Sequence, residues 1–225
     1  PAGSLAALVA RWGWARLGRT EQPVPAVGSV QPRRGGCTWL AIVVASFLFS
    51  CGIVPHTIYW FDYIARDLGH GYWFAGLHWT GVGVFAILGP LFAAWLAGIA
   101  GTAFAIGLIY FAMTIGIGLP WVSHAVAALA VSTMIFGAQP AVSTLLGARA
   151  RDLGTPADMP AMMRAIILSN GIGSAIGGVS VPMLLGVTGS YEALFLAGGI
   201  AFAVATVLLA PAALASRPPP VSRLN

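Results

Sequence analysis

The sequence predicts an all-α membrane protein with six transmembrane helices, and three observations predict it. Hydrophobic residues make up 58% of the 225 and charged residues only 8%, against about 25% charged in a water-soluble domain. Mean hydropathy is +0.87. Six apolar runs each reach the ~20 residues a helix needs to cross a bilayer's hydrocarbon core, and the basic residues, all Arg, sit beside those runs.

The runs fall at about 38–61, 73–98, 101–120, 122–147, 162–187 and 191–214. The first is closed by RDLGHG, the third by GLPWVS, the fourth by RDLGTPADMP and the fifth by GVTGS, all turn-forming stretches. The division of the second from the third rests on GIAG inside WLAGIAGTAF, which carries no charge. Trp73 to Pro120 is too long for a single crossing, so two spans are expected there. Residues 1–36, rich in Pro and Arg, are expected to be a cytoplasmic linker, 37–215 the helical bundle and 216–225 a cytoplasmic tail.

Arginine placement orients the bundle. Arg11, Arg16, Arg19, Arg33 and Arg34 precede span one, Arg149, Arg151 and Arg164 bracket the fourth loop, and Arg217 and Arg223 follow span six. Arg66 alone lies on the other side, so the positive-inside rule puts both termini in the cytoplasm, in what is expected to be a bacterial inner membrane. The net charge of +5 thereby finds a role in topology, and no nucleic acid partner is expected. Trp39, Trp60, Trp73, Trp95 and Trp121 fall near span ends, where amphipathic rings favour the headgroup level. Cys37 and Cys51 lie 14 residues apart, roughly 20 Å along a helix, too far to pair, and read as small packing residues. No signal peptide is recognised before span one, and Pro at position 1 suggests a piece of a longer chain.

An internal repeat adds symmetry. GIVPHTIYWFDYIARDLG (52–69) and GAQPAVSTLLGARARDLG (137–154) share Gly, Pro and RDLG at a constant offset of 85, and Gly81-x-Gly83 weakly echoes Gly171-x-Gly173. Spans one and four start on opposite sides, so the copies form an inverted three-plus-three repeat, as in half of a twelve-span secondary transporter.

GIVPHTIYWFDYIARDLG, GPLFAAWLAGIAGTAFAIG and GSAIGGVSVPMLLGVTGSYEALFLAGG together resemble the C-terminal half of major facilitator superfamily (MFS) carriers, nearest the bacterial YbfB/YjiJ-like group, over about residues 37–214. The resemblance implies one half of a twelve-helix carrier, with a small-molecule substrate held between two six-helix bundles. The N-terminal half would belong to the same full-length chain or to a second subunit, and lipid surrounds both. One motif departs from the family. Its loop pattern G-x-L-A-D-R-x-G-x-R-R falls on Ala94 to Phe104, where Leu96, Ala97 and Gly101 keep it. Gly98 and Ile99 replace the Asp-Arg pair, and Ala103 and Phe104 the two basic residues, so the charge relay ascribed to that loop cannot operate.

Candidate substrate contacts come from polar residues inside spans, which are costly there and usually face the bundle interior. His56, Tyr59 and Tyr63 share one face of span one, beside Pro55. Gln139 and Ser143 share a face of span four next to Pro140, and Asn170 is the polar candidate of span five. The structural alternative for each is a hydrogen bond to a neighbouring helix. Asp62 and Arg66 suit an i,i+4 ion pair that closes an outer gate or merely solvates a helix end. Arg164 either anchors topology or attracts an anionic substrate at the inner mouth. Ser169, Gly173 and Gly177 form one small-residue stripe of span five, with Ser174 and Gly178 beside it, and such stripes let helices approach closely.

His70, His78 and His124 lack metal-ligand spacing, so neither a metal nor a cofactor is expected. An intramembrane serine protease needs a histidine base beside its nucleophile. Ser143 lies towards one side and the histidines towards the other, so no enzyme is expected. A non-transporting membrane subunit or a truncated gene fragment is the remaining alternative.

Overall fold

The computed structural model describes residues 36–215. The expected tail over 216–225, and the expected linker apart from Gly36, lie outside the described residues. The helices are α1 (Gly36–Asp62), α2 (Gly71–Ala100), α3 (Thr102–Val122), α4 (Val126–Gly137), α5 (Pro140–Leu153), α6 (Met159–Thr188) and α7 (Tyr191–Ala215). Together they make six spans, because α4 and α5 are two pieces of span four and α1 runs on through one π-helical turn, Tyr63–Asp67.

Most spans outrun their apolar cores. Span four ends at Leu153 rather than near 147, since Arg149, Arg151 and Asp152 continue the helix beyond the apolar run. Spans two and three are separate helices, divided at Gly101, whose φ of 85° lies in a region glycine enters without steric cost. In span four the break precedes Pro140: the Ala138 N–H bonds the carbonyls of Met134 and Ile135, and the Gln139 N–H that of Phe136. Pro140 then opens α5 at a position where its missing N–H is not needed.

Pro55 does not break α1. It leaves the Cys51 carbonyl without its helical donor, and there span five comes close: a Cβ built on Gly177 stands 3.3 Å from that oxygen. Spans one and five run parallel in a four-residue register. Ser169 Oγ donates to the Val43 carbonyl at 2.6 Å, a Cβ on Gly173 would lie 2.5 Å from the Phe47 carbonyl, and Cys51 Sγ donates to the Gly173 carbonyl at 3.2 Å.

The packing has the symmetry of an inverted repeat. Span one packs on spans five and six, span four on spans two and three, and spans three and six pack on each other. Spans two and four are parallel neighbours, with Gly81 against Thr133 and Gly89 against Ala138. Spans three and six are antiparallel, with Gly107 against Ala213, Thr114 bonded to Thr206 at 3.1 Å and Gly118 against Gly199. Each contact of one repeat has its counterpart in the other, as a two-fold axis in the membrane plane requires. Trp60, Tyr63, Tyr110, Phe136, Phe195 and Phe202 fill the shared core.

Candidate functional site

Polar side chains gather at three levels. In the first half of span four, roughly 9 Å before its break, α1 and α4 face each other through His56, fully buried, whose Nε2 lies 2.9 Å from Ser132 Oγ. Its ring stacks on Trp60 with centroids 4.6 Å apart and meets the edge of Phe195 at 4.7 Å. His56 Nδ1 is buried with no hydrogen-bond partner. Next to this pair, Trp60 Nε1 donates to Thr133 Oγ1 at 3.2 Å, and His78 Nδ1 lies 2.6 Å from the same oxygen. Indole N–H is only a donor, so Thr133 accepts from Trp60 and keeps one proton and one lone pair for His78. Five side chains thus join spans one, two and four.

The end of the bundle near Gly69 and Gly189 carries a second network. Arg66 Nη1 is 3.0 Å from Asp62 Oδ1, Arg66 Nε donates to Tyr72 Oη at 3.2 Å, and Tyr191 Oη donates to Asp62 Oδ2 at 2.5 Å. His124 Nε2 lies 3.2 Å from Glu192 Oε1. All these links stay inside this one bundle. Tyr59 is half-buried and its ring edges that of Tyr191 at 5.8 Å, whereas Tyr63 is fully buried with its hydroxyl 3.4 Å from the Pro120 carbonyl. The opposite end, near Gly101 and Gly154, holds Asp152, which accepts from Thr102 Oγ1 and stands 3.7 Å from Arg149 Nη1. Arg164 is exposed in α6.

The other sequence candidates lie apart from the His56 cluster. Gln139 is half-buried at the span-four break, and Ser143 is exposed one turn further on. Asn170 is half-buried with its Oδ1 enclosed and without a hydrogen-bond partner. Ser169, Gly173 and Gly177 are buried against span one, while Ser174 and Gly178 are exposed and a Cβ on Gly178 would meet nothing within 4 Å. Sequence reasoning passed over Ser132, Thr133 and the inward side of His78. The available signal was the adjacent Ser-Thr pair within the apolar run AVSTMIF. Among the described residues no group of three or more His, Cys, Asp or Glu could hold a metal.

Comparison with known proteins follows the same lines. The family profile described as "Uncharacterised MFS-type transporter YbfB" matches residues 2–210. No curated protein matches the chain. Among solved structures the chain is similar to "In meso crystal structure of the POT family transporter PepTSo", with a TM-score of 0.66 and 17% identity over 81% of this chain. At that identity the likeness shows the fold. The chain spans 38% of the length of that transporter.

Proposed function

We propose a role in solute translocation for this chain, which belongs to the family of MFS-type transporters described by YbfB. In this reading it supplies one six-helix bundle of a secondary carrier, and a second bundle, from the same full-length chain or another subunit, forms the opposite wall of the substrate path. The observation that carries it is the distribution of burial. Only 17% of the apolar window of span two, and the same of span five, is buried inside the bundle, against 39 or 44% in the other four. Spans two and five are each other's repeat counterparts, so a symmetric pair of helices is left for a further partner.

Spans one and four carry the polar groups. Gln139, Ser143 and Tyr59, and Asn170 and Ser174 on span five, are proposed to face the substrate path. A polar side chain directed at lipid is costly, and one lining a water-filled cavity is not. His56 and Tyr63, being fully buried, are assigned to bracing span one. A substrate reaches them only when span one moves. Asp62 and Arg66 are proposed to brace the Gly69 end, and Arg164 to guide solute at the opposite mouth. The ten-to-one arginine asymmetry supports cytoplasmic termini in a bacterial inner membrane.

Solute flux into liposomes containing the full-length carrier tests the reading. The double variant Gln139→Ala, Ser143→Ala should lower flux at unchanged membrane insertion. Full activity in that variant would remove span four from the path.

A further inference from the structure

Two largely apolar cavities occupy equivalent places in the two repeats. One, of about 390 Å³, lies between spans two and three over a floor of span four. The other, of about 500 Å³, lies between spans five and six over a floor of span one. The inverted repeat sets them at opposite depths. The first is lined by Ile109 and Met113, whose distance from the start of α3 at Thr102 is roughly 10–17 Å at 1.5 Å per residue. The second is lined by Ala197 and Ala201, similarly placed from the start of α7 at Tyr191, at the other end of the bundle. Each cavity therefore lies towards its own end of the bundle.

The first cavity also has charge at the right distance. Its walls include Phe85, Leu88, Phe92 and Met134, and its rim opens onto the bundle's exposed apolar surface, since Leu88, Phe92 and Met134 are all exposed. From Ala141 in its floor, span four runs on to Arg149 and Arg151, roughly 12–15 Å further along the helix. That is the depth of one leaflet of a hydrocarbon core about 30 Å thick. Arg149 stands 3.7 Å from Asp152, which accepts from Thr102 at the head of span three, so Arg149 sits beside the turn that closes this cavity's end of the bundle. Arg151 is exposed.

We propose that the cavity between spans two, three and four holds an acyl chain of a bilayer phospholipid, whose phosphate is met by Arg149. The site is independent of the substrate path, and its occupant comes from the membrane the spans already cross. An acyl chain wedged there fills the gap between spans two and three, which touch each other far less than either touches span four.

The test uses the full-length protein in phosphatidylethanolamine–phosphatidylglycerol liposomes doped with a phospholipid carrying a mid-chain diazirine. After irradiation, adducts should concentrate on Leu88, Met113 and Met134 above the level at Val207, an exposed apolar position of span six. Ala112→Trp, which fills the cavity, should bring them down to the Val207 level. Arg149→Gln should lower phospholipid labelling by roughly five-fold, and leave labelling by a diazirine diacylglycerol, which has no phosphate, unchanged. Even labelling of all exposed apolar positions would overturn the proposal. So would crosslinking of Leu88 to the upstream half or to a second copy. If Ala112→Trp fails to insert, unchanged phospholipid labelling in Arg149→Gln overturns it alone.

Discussion

Ser132 Oγ and His56 Nε2 lie 2.9 Å apart, 76 residues from each other in the chain, and form a direct polar link between the two helices that the internal repeat makes equivalent. The link is enclosed by Trp60, Phe136 and Phe195, where water does not compete with it.

Ser132→Ala leaves both ring nitrogens of His56 unpartnered in a buried site. A buried polar group that loses its partner costs about 1–3 kcal/mol, although interhelical hydrogen bonds in membranes average nearer 0.6 kcal/mol. The expected result is a thermal midpoint a few degrees lower in detergent, with Ser132→Thr, which keeps the hydroxyl, closer to wild type. Equal midpoints for Ala and wild type would show that the pair contributes nothing to stability.

Two glycines of span five, Gly173 and Gly178, should respond differently. A Cβ on Gly173 would lie 2.5 Å from the backbone oxygen of Phe47, whereas one on Gly178 meets nothing within 4 Å. Gly173→Ala therefore forces spans one and five apart at a cost of about 1–3 kcal/mol, and Gly178→Ala is neutral or stabilising. Size-exclusion profiles and thermal midpoints of the two variants check the contrast.

At the Gly69 end the exposed ion pair should matter less than the tyrosine. Arg66 has 66% of its side chain exposed, and exposed pairs are worth about 0–1 kcal/mol. Tyr191 donates a charge-assisted hydrogen bond of 2.5 Å to a carboxylate that is only 31% exposed. Tyr191→Phe should thus destabilise more than Arg66→Gln, as read by proteolysis of the loops joining spans one to two and five to six. The reverse order would mean that the carboxylate is held mainly by Arg66.

Gly101→Ala should destabilise by about 1 kcal/mol or more, because a φ of 85° is strained for any residue with a Cβ. Gly98→Ala, three residues earlier inside α2 where nothing lies within 4 Å, should not. Thermal midpoints compared in parallel decide this.

The six spans were legible because about 20 apolar residues in a row have few alternatives to crossing a bilayer, and the division at GIAG was legible from chain length alone. The repeat was legible from RDLG and the aligned prolines, and the span contacts follow its symmetry. Span ends were less so: Arg149 to Leu153 continue a helix that hydropathy stops near residue 147. The π-helical turn was not legible, since nothing in YIARD distinguishes a Leu68 N–H that bonds Tyr63 from one that bonds Ile64. For the polar clusters, sequence supplies which residues are polar and which share a helix face. It does not supply partners, and the partners of His56, Trp60 and Asp62 are 76, 73 and 129 residues away. Local periodicity carries no information at that separation.

Span four is proposed to border a water-filled solute path in the assembled carrier. With Cys37 and Cys51 replaced by alanine in the full-length protein, Ser143→Cys and Val207→Cys can be treated in intact membranes with a membrane-impermeant maleimide applied from each side. Both positions are exposed in this bundle, but Val207 is apolar and lies on span six. Cys at 143 should react from at least one aqueous side and be protected when a transported solute is present, while Cys at 207 stays unmodified. A Cys at 143 as unreactive as one at 207, from both sides, would contradict it.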